Sequence, residues 1–159
     1  MSPQKEAKII AYYFVKKNEK DRKGLDNKKL QKLLYYSQAW NLVFNKKPLF
    51  SDKIEAWVHG PAIPQVWRFF REFNFSVEHP EISEKDLSNI SDEEKKILDE
   101  VWRVYGKFDG NYLESLTHNE DPWLKARQGL EVSESSQNEI SQRDMTDYYS
   151  QRLVEAKQK

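Results

Sequence analysis

The residues of this chain whose types suit chemistry are three histidines and a set of carboxylates, because it contains no cysteine. His118, Glu120 and Asp121 stand close together in the sequence and come nearest to a metal site or an acid–base cluster. The motifs that bind nucleotide phosphates, catalytic zinc or a serine nucleophile are all missing. We therefore expect no catalytic residue, no metal and no cofactor, and we expect His118 to be buried or to fix a turn.

The other two histidines have surroundings that favour chemistry even less. His59 lies in a stretch rich in glycine and proline, and His79 lies in an acidic stretch. An enzyme centred on His118 and the two carboxylates that follow it stays as an alternative. Normal function of a folded His118→Ala variant would exclude that alternative.

The charged residues balance to zero but are unevenly distributed. The chain has 26 basic and 26 acidic side chains; residues 1–47 hold 12 basic and four acidic ones, a net +8, and residues 48–159 carry −8. A basic segment is one kind of nucleic-acid surface, but here lysine dominates over arginine and no RNA-binding motif accompanies it. We expect the N-terminal lysines to pair with the acidic remainder or to form a partner surface of mixed sign. Nucleic acid is therefore not the expected partner. A regulator that binds nucleic acid stays as an alternative, which would be excluded if the protein did not bind DNA or RNA, or bound them with an affinity that does not depend on salt.

The composition also indicates a compartment. No apolar run approaches the length of a membrane span, and the first residues lack the apolar core of a secretory signal. A chain without cysteine fits a reducing compartment. We expect a cytoplasmic protein that does not associate with a membrane, with a core built largely from its five Trp, eight Tyr and eight Phe residues.

Helical spacing of apolar residues dominates the pattern. Asp26 is placed to cap a central helix, Ser91 and Glu94 form a capping box, and Asp121 followed by Pro122 is typical of a helix start. The predicted helices span about residues 4–17, 27–45, 64–73, 92–105, 110–117, 122–128 and 142–156.

The segments between the predicted helices are short. Residues 54–58 alternate in polarity and predict a short strand, and residues 59–64 predict a rigid turn. Residues 74–90 are expected to form a loop or a short extended piece, and residues 131–139 a polar loop. The prediction is a mainly α protein: a single compact helical domain over residues 1–159, with six or seven helices, one short β element and the last few residues frayed.

Three segments, in this order, resemble a known family. They are KLQKLLYYSQAW at 29–40, the set PLF, IEAW, GP and a final proline across 48–64, and LTHNEDPW followed by AR across 116–127. Together they resemble the SocA-like Panacea antitoxin domain family, which includes many phage-associated proteins. The likeness extends over essentially the whole chain. Departures are small: Ser37 and Ala39 stand where Ala and Gly are common, and His59 stands where Tyr is common.

The resemblance implies a protein-binding role. Members look like antitoxins encoded beside small toxins, which they neutralise by binding. Some instead deliver the toxin to the ClpXP protease as adaptors, and a phage-associated protein that binds a host factor is a third possibility. The identity of the toxin does not follow from the fold.

Four side chains are the candidates for contact with that partner. Trp57 and His59 precede the Gly-Pro stretch, and His118 and Trp123 lie on either side of the Asp-Pro stretch. Rigid loops lose little entropy on binding, and tryptophan is enriched at interface hot spots. The alternative is that these residues maintain the fold.

Overall fold

The computed structural model describes residues 5–73 and 83–158, which form eight helices and one two-stranded sheet. None of these helices combines the length and apolar character that a membrane crossing needs. The mainly α prediction is confirmed. The elements are α1 Ala7–Asp21, α2 Asn27–Asn45, β1 Glu55–Trp57, β2 Gly60–Ala62, α3 Pro64–Phe73, α4 Glu84–Leu87, α5 Asp92–Tyr105, α6 Gly110–His118, α7 Asp121–Ala126 and α8 Gln142–Lys157.

Helix α2 is the centre of the core. It begins as predicted, because an Asp26 carboxylate oxygen accepts a hydrogen bond from the Lys29 amide at 2.8 Å. Every residue from 29 to 39 is buried, and α1, α3, α5, α6, α8 and β2 all pack against this helix. A helix buried around its whole circumference needs neighbours on all sides, which fixes the arrangement of the other elements.

The buried polar side chains of α2 hold the loops that surround it. Gln31 Oε1 accepts from the Ile63 amide at 2.8 Å. Gln38 Oε1 accepts from the Leu49 amide at 2.7 Å, and its Nε2 donates to the Phe50 carbonyl at 3.0 Å. Buried backbone groups need such partners. The polar residues of the KLQKLLYYSQAW segment therefore position the backbone that leads into and out of the sheet.

The sheet is a hairpin, and its second strand differs from the sequence prediction. β1 is confirmed as a strand, but the predicted turn over residues 59–64 is wrong in its middle, because Gly60–Ala62 pairs antiparallel with β1. Trp57 lies opposite Gly60, so the connection has only two residues. Gly60 has φ +103°, and a Cβ there would lie 2.5 Å from Lys32 Cε. Glycine thus allows the hairpin to lie directly on α2.

A short helix occupies part of the segment for which a loop or extended piece was predicted. Within residues 74–90, α4 is started by a capping box, in which Ser83 Oγ accepts from the Asp86 amide at 3.3 Å and the Asp86 carboxylate accepts from the Ser83 amide at 3.0 Å. The helix has a single apolar residue, so the sequence contains no apolar periodicity from which it could be predicted. His79 lies outside the described residues.

The start of α7 also differs from the prediction. Asp121 is the first helical residue and not the N-cap, which is Glu120. Glu120 makes no side-chain capping bond, because its carboxylate turns into the core. Pro122 lies in the first turn as predicted, where its missing N–H costs no intrahelical bond.

The N-terminal lysines pair with the acidic remainder, as the charge distribution predicted. Lys29 and Lys32 are buried, which removes them from the basic surface. Within the described ranges, four ion pairs join lysines of residues 1–47 to later acids: Lys5–Glu94 at 2.9 Å, Lys16–Glu84 at 3.3 Å, Lys17–Asp99 at 2.7 Å and Lys28–Glu114.

Candidate partner-binding site

The four candidate residues lie at or next to the connection of the hairpin. His118 and Trp123 stack with ring centroids 4.0 Å apart and an interplanar angle of 18°. Trp123 Nε1 donates to the Trp57 carbonyl at 2.8 Å, and His59 Nδ1 lies 3.2 Å from a carboxylate oxygen of Glu114 on α6. Helices α6 and α7 therefore both contact the hairpin connection.

These side chains differ in how much surface they offer. The side chain of His59 is 73% exposed, and Trp57 and His118 are half-buried. Trp123 is only 5% exposed, and the Arg127 guanidinium lies 5.1 Å from its ring centroid. The assignment of all four as partner contacts stays a prediction. The exposure of the hairpin residues suits direct contact, and the burial of Trp123 suits support of the hairpin.

His118 does not form a cluster with the carboxylates that follow it. Its Nε2 is buried without a hydrogen-bond partner among the described residues, and burial lowers the pKa of the imidazole. Glu120 points into the core and Asp121 is exposed. Within residues 5–73 and 83–158, no group of three or more His, Asp or Glu side chains could hold a metal ion.

Glu120 belongs to a buried tyrosine cluster that the sequence reasoning missed. Its Oε1 accepts from the hydroxyl of Tyr36 at 2.6 Å and from that of Tyr149 at 3.0 Å, and the Tyr35 and Tyr149 hydroxyls lie 3.0 Å apart. Burial raises the pKa of Glu120, although both hydrogen bonds act in the opposite direction. The cluster joins α2 to α8 and to the start of α7. Buried phenols need acceptors, so the Tyr-Tyr pairs of these helices were the available signal.

A cavity of about 410 Å³ lies beside the hairpin. Trp57 and Trp67 line it, with ring centroids 6.0 Å apart in an edge-to-face arrangement. Lys28 and Lys32 of α2 line it too, and residues 135–137 complete it. From the sequence, Trp67 was predicted only to lie in the helix at about 64–73, and neither lysine was singled out.

Arg127 fixes the segment that leads to cavity residues 135–137. It is buried, and its Nη1 donates to the Ala56 carbonyl at 2.9 Å while its Nη2 donates to the carbonyls of Glu131 at 3.1 Å and Glu134 at 2.5 Å. Residues 138–140 then run along β1, with the Ala56 amide donating to the Asn138 carbonyl at 2.8 Å. The predicted polar loop is therefore fastened to the hairpin.

Fold and site together describe a helical scaffold whose central buried helix carries a braced hairpin at the surface. The chain belongs to the antitoxin SocA-like, Panacea domain family, whose model matches residues 30–124, more than half of the chain. No curated protein and no solved structure matches it significantly. The matched span runs from α2 into α7 and includes the hairpin, His118, Glu120 and Trp123.

Proposed function

We propose that this protein is an antitoxin that neutralises a cognate protein toxin by binding it directly. Membership of an antitoxin-like family over residues 30–124 supports a protein partner. The proposal includes a cytoplasmic location, a single domain over residues 1–159 and no enzymatic step. The absence of cysteine is consistent with a reducing compartment.

The hairpin connection is the part of the surface best suited to meet the toxin. The observation that carries this is the 2.8 Å hydrogen bond from Trp123 Nε1 to the Trp57 carbonyl, which fixes the backbone where the strand ends. His59 on the adjacent connection is tied to Glu114 and still mostly exposed. A surface that is rigid before binding loses little entropy on binding, and half-buried Trp57 is a suitable anchor.

Trp57→Ala is expected to weaken toxin binding by about 30-fold, the effect of losing a hot spot of about 2 kcal/mol. The measurement is growth of cells that co-express the variant with the toxin, combined with circular dichroism to verify folding. Tyr112→Ala, which removes an exposed aromatic ring from α6, is the matched control and should rescue growth like the unmodified chain. A folded Trp57→Ala variant that rescues growth fully would place the interface elsewhere.

Direct neutralisation and delivery to the ClpXP protease predict different fates for the toxin. Under direct neutralisation, the toxin persists at an unchanged level, and rescue continues in cells that lack ClpXP. If the toxin disappears and rescue requires ClpXP, the protein is an adaptor. Immunoblotting of the toxin in the two strains separates these outcomes.

A further inference from the structure

The cavity beside the hairpin contains a buried lysine that the described part of the chain leaves without a countercharge. Lys32 is 2% exposed, and its Nζ donates to the Pro61 carbonyl at 3.2 Å. No carboxylate among the described residues lies within ion-pair distance of this Nζ, although an ammonium group has three N–H donors to satisfy. Burial lowers the pKa of Lys32 to about 7, because the charged form has lost water without gaining an anion.

The other charges around the cavity do not supply that anion. Lys28 also lines the cavity, but it pairs with Glu114, which lies 3.2 Å from His59 as well. The Glu114 carboxylate thus contacts Lys28 and His59 and acts on Lys32 only at longer range. No Asp or Glu is among the described residues that line the cavity, so its walls carry an excess of positive charge.

Part of the cavity lining is aromatic. Trp57 and Trp67 are both half-buried and meet edge to face. A volume of about 410 Å³ lies within the ordinary range of ligand pockets, about 300–1,000 Å³. The cavity therefore offers an apolar surface together with a buried lysine that lacks a countercharge, and its complement is an apolar group next to an anionic one.

We propose that this cavity receives an acidic side chain of the toxin together with a neighbouring apolar residue. The carboxylate pairs with Lys32 and Lys28, and the apolar side chain packs on Trp57 and Trp67. Charge complementarity carries the assignment, since a carboxylate in this position supplies the countercharge that the buried Lys32 otherwise lacks. The identification of the acidic segment as part of a toxin rests on the proposed function. The preference of the cavity for a carboxylate does not depend on that function.

The first test uses two end-blocked peptides, acetyl-Gly-Glu-Leu-Phe-Gly-amide and its Gln counterpart, titrated into the ¹⁵N-labelled full chain. We expect saturable shifts of the Trp57 and Trp67 indole signals, with the Glu peptide binding at least tenfold more tightly. Equal affinities, or shifts elsewhere only, would overturn the proposal. A Gln peptide with a free C-terminal carboxylate that binds as tightly as the Glu peptide would overturn the assignment to a side chain.

Variants of the lysines test which cation the carboxylate meets. Lys32→Met replaces a buried charge by an apolar side chain of similar length, which buried sites commonly tolerate, and should reduce the Glu-over-Gln preference to about one. Lys20→Met, at an exposed position on α1, should keep the preference. Lys28→Gln should reduce it as well and serves as the test if Lys32→Met does not fold. Retention of the preference in a folded Lys32→Met variant would overturn the assignment.

The proposed function and the cavity assignment fail separately in this design. If the unmodified chain neutralises a toxin normally but shows no preference for the Glu peptide, the cavity assignment is wrong and the antitoxin proposal stands. If it neutralises no toxin but retains a Lys32-dependent preference for the Glu peptide, the antitoxin proposal is wrong and the cavity assignment stands.

Discussion

Trp123→Ala is expected to lower the free energy of unfolding by about 3–5 kcal/mol, the usual cost of truncating a buried tryptophan. The indole is 5% exposed, stacks on His118 at 4.0 Å and donates to the Trp57 carbonyl at 2.8 Å. The substitution removes the buried ring, the stacking and the hydrogen bond, and leaves the hydrogen bond from Arg127 to the Ala56 carbonyl to hold the hairpin to the end of α7. Urea denaturation followed by circular dichroism gives the free energy directly.

Leu124→Ala is the control for this experiment. Leu124 follows Trp123 in α7 but is 44% exposed, so its truncation should change the free energy of unfolding by no more than about 0.5 kcal/mol. If Trp123→Ala is as stable as this control yet no longer rescues cells from the toxin, Trp123 is an interface residue. The assignment of Trp123 to the core would then be wrong.

Glu120→Ala is expected to cost about 2–4 kcal/mol of stability. The substitution leaves the hydroxyl groups of Tyr36 and Tyr149 buried without the acceptor that now binds both, and each unsatisfied donor costs about 1–3 kcal/mol. Glu120→Gln keeps a carbonyl acceptor at this position and should lose less. Equal losses for the two variants, measured by urea denaturation, would show that the tyrosine hydroxyls do not depend on this acceptor.

The raised pKa of Glu120 predicts a specific dependence on pH. Because burial raises this pKa in the folded state, folded chains hold the proton to higher pH than unfolded chains, whose glutamate titrates near pH 4.3. This contribution is complete below the unfolded pKa and is lost as pH rises through the folded pKa. Stability of the unmodified chain minus that of Glu120→Gln should therefore fall as pH rises from 4 towards neutrality. A constant or rising difference would contradict the pKa shift.

The helix starts that depend on local contacts were predictable from the sequence. Asp26 caps α2, and in the α5 capping box Ser91 Oγ accepts from the Glu94 amide at 3.1 Å while Glu94 Oε1 accepts from the Ser91 amide at 2.9 Å. Each signal joins residues three positions apart, so composition and spacing are sufficient to find it. The seven predicted helices are present because the spacing of apolar residues that predicted them is also a local signal.

Two of the differences concern contacts between residues distant in the sequence. Glu120 was considered only with its neighbours His118 and Asp121, yet its partners Tyr36 and Tyr149 lie 84 and 29 residues away. Gly60–Ala62 was predicted as a turn because glycine and proline favour turns, whereas its strand character depends on pairing with β1.

The candidate site was predictable in part. The four chosen residues do meet at the hairpin, because the two rigid stretches that contain them pack on each other. The adjoining cavity was not predicted, since lysines are rarely buried and nothing local indicates that Lys32 faces the hairpin.

The measurement that bears most directly on the antitoxin proposal is a calorimetric titration of the purified chain with the purified product of the neighbouring gene. That product should stop growth when expressed alone, and expression of this chain should restore growth. We predict a saturable complex of the two purified proteins, weakened by Trp57→Ala and unaffected by Tyr112→Ala. Absence of any complex between purified components, despite rescue in cells, would contradict neutralisation by direct binding.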